Sequence, residues 1–213
     1  NLLTLMRSVS ILGILSIAMA VVVISKGIDL SLIATLAVGT ALASVMSSPD
    51  VLPSFDLPFV YAVLLGFLFT AILCAITGIL VAYWDMASVF VTLAMAGVIY
   101  GLGRTLFIGD ELNYLPEDAI WLEYLGRGQL LGVPMPIICF LSLAFIMHLV
   151  LKKTTFGKFV YSIGDSGLAA RTAGVPVRPI LVIIFVIAGL VAYFAGLLTA
   201  GAISSINTRM VSG

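Results

Sequence analysis

Apolar runs of roughly twenty residues, the length of helix that crosses a bilayer core about 30 Å thick, limit this chain to very few folds. Only helices or closed barrels satisfy their backbone hydrogen bonds in such a core. Barrel strands would alternate apolar and polar residues over short segments, and these runs do not. The 213-residue chain is 62% hydrophobic and 9% charged, with a mean hydropathy of +1.26. That excludes a soluble helical core. The expected fold is all-α: a polytopic transmembrane helical bundle forming a single domain over residues 1–213.

Six candidate spans follow one another. The first, Leu2 to Ser25, stops at Lys26-Gly27, and after Ile28-Asp29-Leu30-Ser31 a second reaches about Val45. So short a connection holds Lys26 and Asp29 close to the membrane. Asp29 followed by Ser31 reads as a helix start, where a carboxylate or hydroxyl caps free N–H groups and suits the positive end of the dipole. In that reading Asp29 also pairs with Lys26. In the other, Asp29 is an intramembrane ionisable group that meets a ligand. A proline-rich connection, Ser47 to Pro58, precedes the third span, Phe59 to Tyr83. The fourth, Val89 to Ile108, carries Gly97 and Gly101 as a GxxxG pair that allows close helix approach, with Arg104 a turn from its end. The fifth opens at Val133-Pro134-Met135-Pro136 and ends near Leu151, and the sixth runs from Ile180 to Ala200.

Charge sets the expected orientation. Lys152 to Pro179 holds Lys152, Lys153, Lys158, Arg171 and Arg178 against Asp165 alone. Gly109 to Pro134 holds Asp110, Glu111, Glu117, Asp118 and Glu123 against Arg127. Lysine and arginine in short loops face the cytoplasm, so 152–179 is assigned inside and 109–134 outside. Lys26–Asp29 and the Trp84–Ser88 turn then fall inside, and the polar tail from Gly201 falls outside.

Three motifs carry less than they suggest. Gly164-Asp165-Ser166-Gly167 spells the string around a serine-protease nucleophile, but such chemistry needs a base and an orienting acid around the serine. The only histidine is His148, at the end of a span; there it reads as an interfacial residue. In the plainer reading, the glycines make turns and Asp165 or Ser166 caps a short helix. Cys74 and Cys139 lie in apolar runs without metal or disulfide spacing and read as small buried hydrophobes.

With those residues in view, the chain resembles the permease subunit of ATP-binding-cassette (ABC) importers for ribose, xylose, galactose and related sugars, a family that includes autoinducer-2 importers. Lys26 to Ser31, KGIDLS, is similar to the family's GGIDLS or SGIDLS junction. Leu131 to Pro136, LGVPMP, resembles its LGVPTP-like opening of the next span. Thr155 to Val175, TFGKFVYSIGDSGLAARTAGV, is similar to the family's pattern T-x-x-G-r-x-(v/i)-y-a-(i/l)-G-x-n-x-x-A-A-r-l-(s/a)-G-(i/v). Three positions depart from it. Leu168 stands where the family has an acid, Ser166 where it has asparagine, and Asp165 where it has glycine.

The resemblance implies a coupling element within 152–179, a short helix seated in a groove of a cytoplasmic ATP-binding-cassette subunit. Gly157 and Gly174 would flank it, and Ala169 and Ala170 would give it a smooth face. Lys158, Arg171 and Arg178 would meet the ATPase subunit or anionic lipid heads. The implied protein is not an enzyme and holds no cofactor; ATP and magnesium would sit on the partner ATPase. Its further partners would be a second permease subunit, identical or paralogous, a periplasmic or extracellular sugar-binding protein, and membrane lipid, with no nucleic acid. The location implied is a bacterial inner membrane. Relatives begin one span earlier and continue well past Ser204-Ser205, so the chain is expected to be a piece of a longer protein.

For the translocation path the expected residues are Asp29, Ser31 and Asn207, with Arg104 a weaker candidate. Two other classes fit less well. An intramembrane enzyme needs convergent nucleophile, base or metal ligands, and an ion-coupled carrier needs charged groups in mid-span and internal repeats. The sequence supplies neither.

Overall fold

The computed structural model describes residues 2–46, 58–106, 112–114, 119–203 and 205–207. It is helical throughout, apart from two small antiparallel strand pairs. In order come α1 (Leu2–Ile24), α2 (Leu32–Met46), α3 (Phe59–Tyr83), α4 (Ser88–Leu106), β1 (Leu112–Tyr114) and α5 (Ile120–Arg127). Then follow β2 (Gln129–Leu130), β3 (Val133–Pro134), α6 (Met135–Lys153), α7 (Thr155–Asp165), α8 (Gly167–Thr172), α9 (Val177–Ile203) and β4 (Ser205–Asn207).

Helix α9 is the axis of the bundle. Of its most apolar stretch 61% is buried, against 11% for α6, which leaves α6 at the periphery. Around α9 stand α3, α1, α2 and the short α5. Small residues set the spacing. Gly66 on α3 and Gly39 on α2 both lie against the ring of Tyr193, with no room for a side chain at either position. Gly97 and Gly101 behave differently: among the described residues nothing lies near them, so the GxxxG pair faces away from the bundle.

Among the described residues five helices are long and apolar enough to cross a membrane. The second of the six expected spans differs. Helix α2 has 15 residues, about 22 Å at 1.5 Å per residue, short of the roughly 30 Å of a bilayer core. A non-helical elbow before it delays its start to Leu32, and its described part runs to Met46. Helix α1 ends in a Schellman turn, with Gly27 N–H donating to Val22 O (3.0 Å) and Lys26 N–H to Val23 O (2.9 Å). Lys26 takes the left-handed position at φ 62°, where glycine is usual and a Cβ costs roughly 1–2 kcal/mol.

The two ends of the bundle gather different segments. At one end, Arg127 Nε donates to Ala202 O (2.7 Å) and an Arg7 guanidinium nitrogen donates to Arg127 O (2.7 Å). At that end β1 also pairs with β4, Leu112 opposite Asn207. At the other end lie the elbow, the Trp84–Ala87 turn, α7 and α8. Arg178 stacks over Tyr83 there, 5.4 Å from the ring centre. The grouping matches the alternation of spans inferred from the sequence.

Candidate functional site

The 152–179 segment folds as two helices rather than as a loop around one. Thr154 makes the corner: its hydroxyl donates to Val150 O (2.5 Å) and accepts from Gly157 N–H (3.2 Å), closing α6 and opening α7. On α7 the buried positions are Gly157, Val160, Ile163 and Gly164, the spacing of one helical face. Lys158, Tyr161, Ser162 and Asp165 lie on the exposed face. Ser166 then caps α8, its hydroxyl accepting from Ala169 N–H (3.3 Å). Ser166 rather than Asp165 makes that cap, and the protease-like string is thereby a helix junction. Gly174, at φ 84°, turns the chain out of α8, with Val175 N–H donating to Ala170 O (3.0 Å).

This geometry corrects the expected docking face. Gly157 does not flank the element but lies inside α7, pressed against the carbonyl end of Leu151. Ala170 is 4% exposed and belongs to the core packed against α9, so it is not available to a partner. The surface of α8 is instead Leu168, 76% exposed, with Ala169, Arg171 and Thr172. Lys158 and Tyr161 lie exposed on the preceding helix. Leu168, a departure from the family's pattern, is thus the most prominent apolar side chain of the pair.

The second cluster is the elbow between α1 and α2. Asp29 is 3% exposed and Ser31 1%. One carboxylate oxygen, Oδ1, accepts from Ser31 N–H (2.9 Å) and from Ser31 Oγ (2.6 Å). The other, Oδ2, is buried without a partner. Burial pushes the Asp29 carboxyl above its ordinary value, and the two bonds from Ser31 hold it part of the way down. The expected cap is only half realised. Asp29 closes a turn onto Ser31, one residue ahead of α2, and the Ser31 hydroxyl donates to the carboxylate instead of capping the helix. Lys26 points elsewhere, its ammonium donating to Asp165 O (2.9 Å). A pairing of Asp29 with Lys26 is therefore absent from the described structure.

The four residues expected on the path do not converge. Asp29 and Ser31 sit together. Thr92 Oγ1, at 3.3 Å, donates to Ile28 O beside them, and Arg104 lies about 18 Å further along the same helix at 1.5 Å per residue, exposed. Asn207 belongs to β4 at the opposite end, and its side chain lies outside the described residues, as do Asp110, Glu111, Glu117, Asp118 and Arg209. His148 is exposed on the peripheral α6, Cys74 is buried and Cys139 half-buried, both as free thiols. Among the described residues no cluster of His, Cys, Asp or Glu is suited to a metal ion.

The family whose sequence model matches this chain is described as the permease component of a branched-chain amino acid transport system, and the match covers residues 1–212. The chain belongs to that permease family. The permease is 34% identical over 92% of its length to the ribose import permease protein RbsC of Bacillus subtilis, covering 59% of that protein. It is 32% identical over 96% of its length to the L-arabinose ABC transporter permease protein AraH of Azospirillum brasilense, covering 58%. To the galactofuranose transporter permease protein YtfT of Escherichia coli it is 32% identical over 88% of its length, covering 52%. The chain thus spans between half and three fifths of these relatives. No solved structure matches it. Family and apolar helices together make the permease a multi-pass integral membrane protein.

Proposed function

We propose that this chain is the membrane-spanning part of a binding-protein-dependent ABC importer that admits a monosaccharide or a related polyhydroxylated molecule to the cytoplasm. One observation carries the reading: relatives named for ribose, arabinose and galactofuranose each match along at least 88% of the chain. The family's description names branched-chain amino acids. The sugar relatives weigh more, because they are individual proteins 32–34% identical to this sequence. Autoinducer-2 remains the alternative ligand within the same reading.

In this reading the α7–α8 pair is the surface that meets a cytoplasmic ATPase subunit, with Leu168, Ala169 and Arg171 at the contact and Lys158 beside it. ATP hydrolysis belongs to that subunit. A binding protein delivers the ligand to the face where α5 and the β2–β3 hairpin lie, and a second permease subunit completes the path in a bacterial inner membrane. Asp29 with Ser31 is the polar station of this chain. A carboxyl with one unpartnered oxygen in an apolar bundle has hydrogen-bonding capacity to spare, and a hydroxyl-rich ligand supplies partners.

The test is uptake into proteoliposomes holding the full-length permease, its ATPase and its binding protein. Labelled pentoses, hexoses and branched-chain amino acids would be offered in turn. ATP-dependent accumulation of a sugar is expected. Uptake that ignores ATP and binding protein and collapses with a proton uncoupler would overturn the importer reading. Uptake of leucine or valine alone would overturn the ligand class.

A further inference from the structure

Three connections that the sequence separates meet at the α7–α8 end of the bundle, and one side chain links two of them under a backbone penalty. Lys26 occupies the left-handed position that ends α1, where glycine would be at ease, and Gly27 follows it immediately. From there its ammonium reaches the carbonyl of Asp165, the last residue of α7, at 2.9 Å. A cation at the C-terminal end of a helix meets both a free carbonyl and the negative end of the dipole. Next to this bond, Gly164 lies directly against the carbonyl of Ile24, leaving no space for a side chain. The α7 terminus therefore touches the end of α1 at two points, one a buried backbone contact and one a reaching side chain. Lys26 and Asp165 are also both positions at which this chain differs from the family pattern given above.

Beyond Lys26 the elbow is fastened at its far side. Ile28 N–H donates to Ser88 Oγ (3.0 Å) and Ile28 O accepts from Thr92 Oγ1 (3.3 Å), both on α4. Asp29 and Ser31 follow, and α2 begins at Leu32. We infer that Lys26 is a positioning residue: a strut that passes displacement of the α7–α8 pair to the elbow carrying Asp29, with the Gly164–Ile24 contact as its pivot. A tilt of α7 about that contact moves the Asp165 carbonyl. The ammonium bound to it draws the Schellman turn along, and the elbow residues between α1 and α4 take up the motion. The strut rests on the importer reading for its purpose, but its mechanical part rests on the contacts alone.

Two substitutions test it in the complete transporter. Lys26→Gly removes the side chain and suits the left-handed backbone, so folding is preserved. Lys26→Arg keeps a cationic donor of similar reach. In proteoliposomes with ATPase and binding protein, Lys26→Gly is expected to keep its thermal stability and hydrolyse ATP while sugar moved per ATP falls about fivefold or more, the lower range of energetic coupling between sites. Lys26→Arg is expected to restore most of that ratio. Hydrogen exchange of the amides of residues 28–31 is read on the same samples and is expected to quicken in Lys26→Gly and not in Lys26→Arg. An unchanged transport-to-ATP ratio in Lys26→Gly would overturn the strut, and so would equal loss in both variants. If the unmodified assembly shows no ATP-driven sugar uptake, the importer reading fails. The exchange measurement then decides the mechanical claim, and unchanged elbow protection would sink it.

Discussion

The phenol of Tyr193 donates a hydrogen bond to the carbonyl of Val63 at 3.1 Å, tying α9 to α3 across 130 residues of sequence. The ring is fully buried, meets Phe67 edge-on at 4.6 Å and occupies the hollow left by Gly66 and Gly39. Removing only the hydroxyl is a small change, since hydrogen bonds between membrane helices average about 0.6 kcal/mol. Filling the hollow is a larger one, because overpacking a dense core costs about 1–3 kcal/mol. Thermal unfolding in detergent should therefore rank the wild type first, Tyr193→Phe slightly below it, and Gly66→Ala clearly lowest. A Gly66→Ala variant as stable as the wild type would mean that α3 and α9 are not held this closely.

Asp29 makes stability depend on pH in an unusual direction. Its folded-state pKa lies above the ordinary 3.8, so the folded state holds the proton more tightly than the unfolded chain does. Its contribution to stability then falls as pH rises from about 3.8 towards the raised folded value, and is level beyond it. Asparagine keeps an acceptor for Ser31 and cannot ionise. Asp29→Asn is accordingly expected to be at least as stable as the wild type at pH 7 and to lose this slope. Asp29→Leu leaves two Ser31 donors unpaired, at a cost of about 1–3 kcal/mol. Melting curves of the three proteins between pH 4 and 8 decide it. An Asp29→Asn protein well below the wild type at pH 7 would show that the charged form is the one the fold requires.

Leu168 and Ala170 separate docking from folding, although they stand two residues apart on one short helix. Leu168→Asp changes a side chain that is 76% exposed and should leave the melting temperature in place while weakening co-purification with the ATPase subunit. Ala170→Arg forces a charge into the core between α8 and α9 and is expected to unfold α8, so that binding is lost through misfolding. Circular dichroism, melting and pull-down on both variants distinguish the two. Full ATPase binding by Leu168→Asp would remove α8 from the interface.

The boundaries of α1, α3, α4 and α6 were legible in the sequence to within about two residues because each is a long, mostly apolar run, while α9 extends three residues beyond both ends of the expected 180–200. Helix α7 was not legible. Its eleven residues mix lysine, tyrosine, serine and two glycines, and hydropathy alone reads such a stretch as a loop. The signal that would have found it is the spacing Gly157, Val160, Gly164 on one face, bounded by Thr154 and Ser166 as caps. The inward face of Ala170 was equally hidden, since two adjacent alanines look alike until α9 supplies the core for one of them. Asp29 and Ser31 lie together because they are near neighbours in the chain. Arg104 and Asn207 share only polarity with them, which carries no information about depth or about which end of the bundle a residue occupies.

Membrane orientation can be read directly from two exposed positions at opposite ends. Lys158 lies exposed on α7, within the segment richest in lysine and arginine. Leu131 is 98% exposed at the tip of the β2–β3 turn, beside α5. The positive-inside rule puts the first in the cytoplasm and the second outside. Cysteines introduced at each site, in the full-length protein with Cys74 and Cys139 replaced by alanine, would be treated with a membrane-impermeant thiol reagent. In intact spheroplasts Leu131→Cys should label and Lys158→Cys should not, and permeabilisation should make both reactive. The reverse pattern would invert the protein, and α7–α8 could then no longer face the cytoplasm.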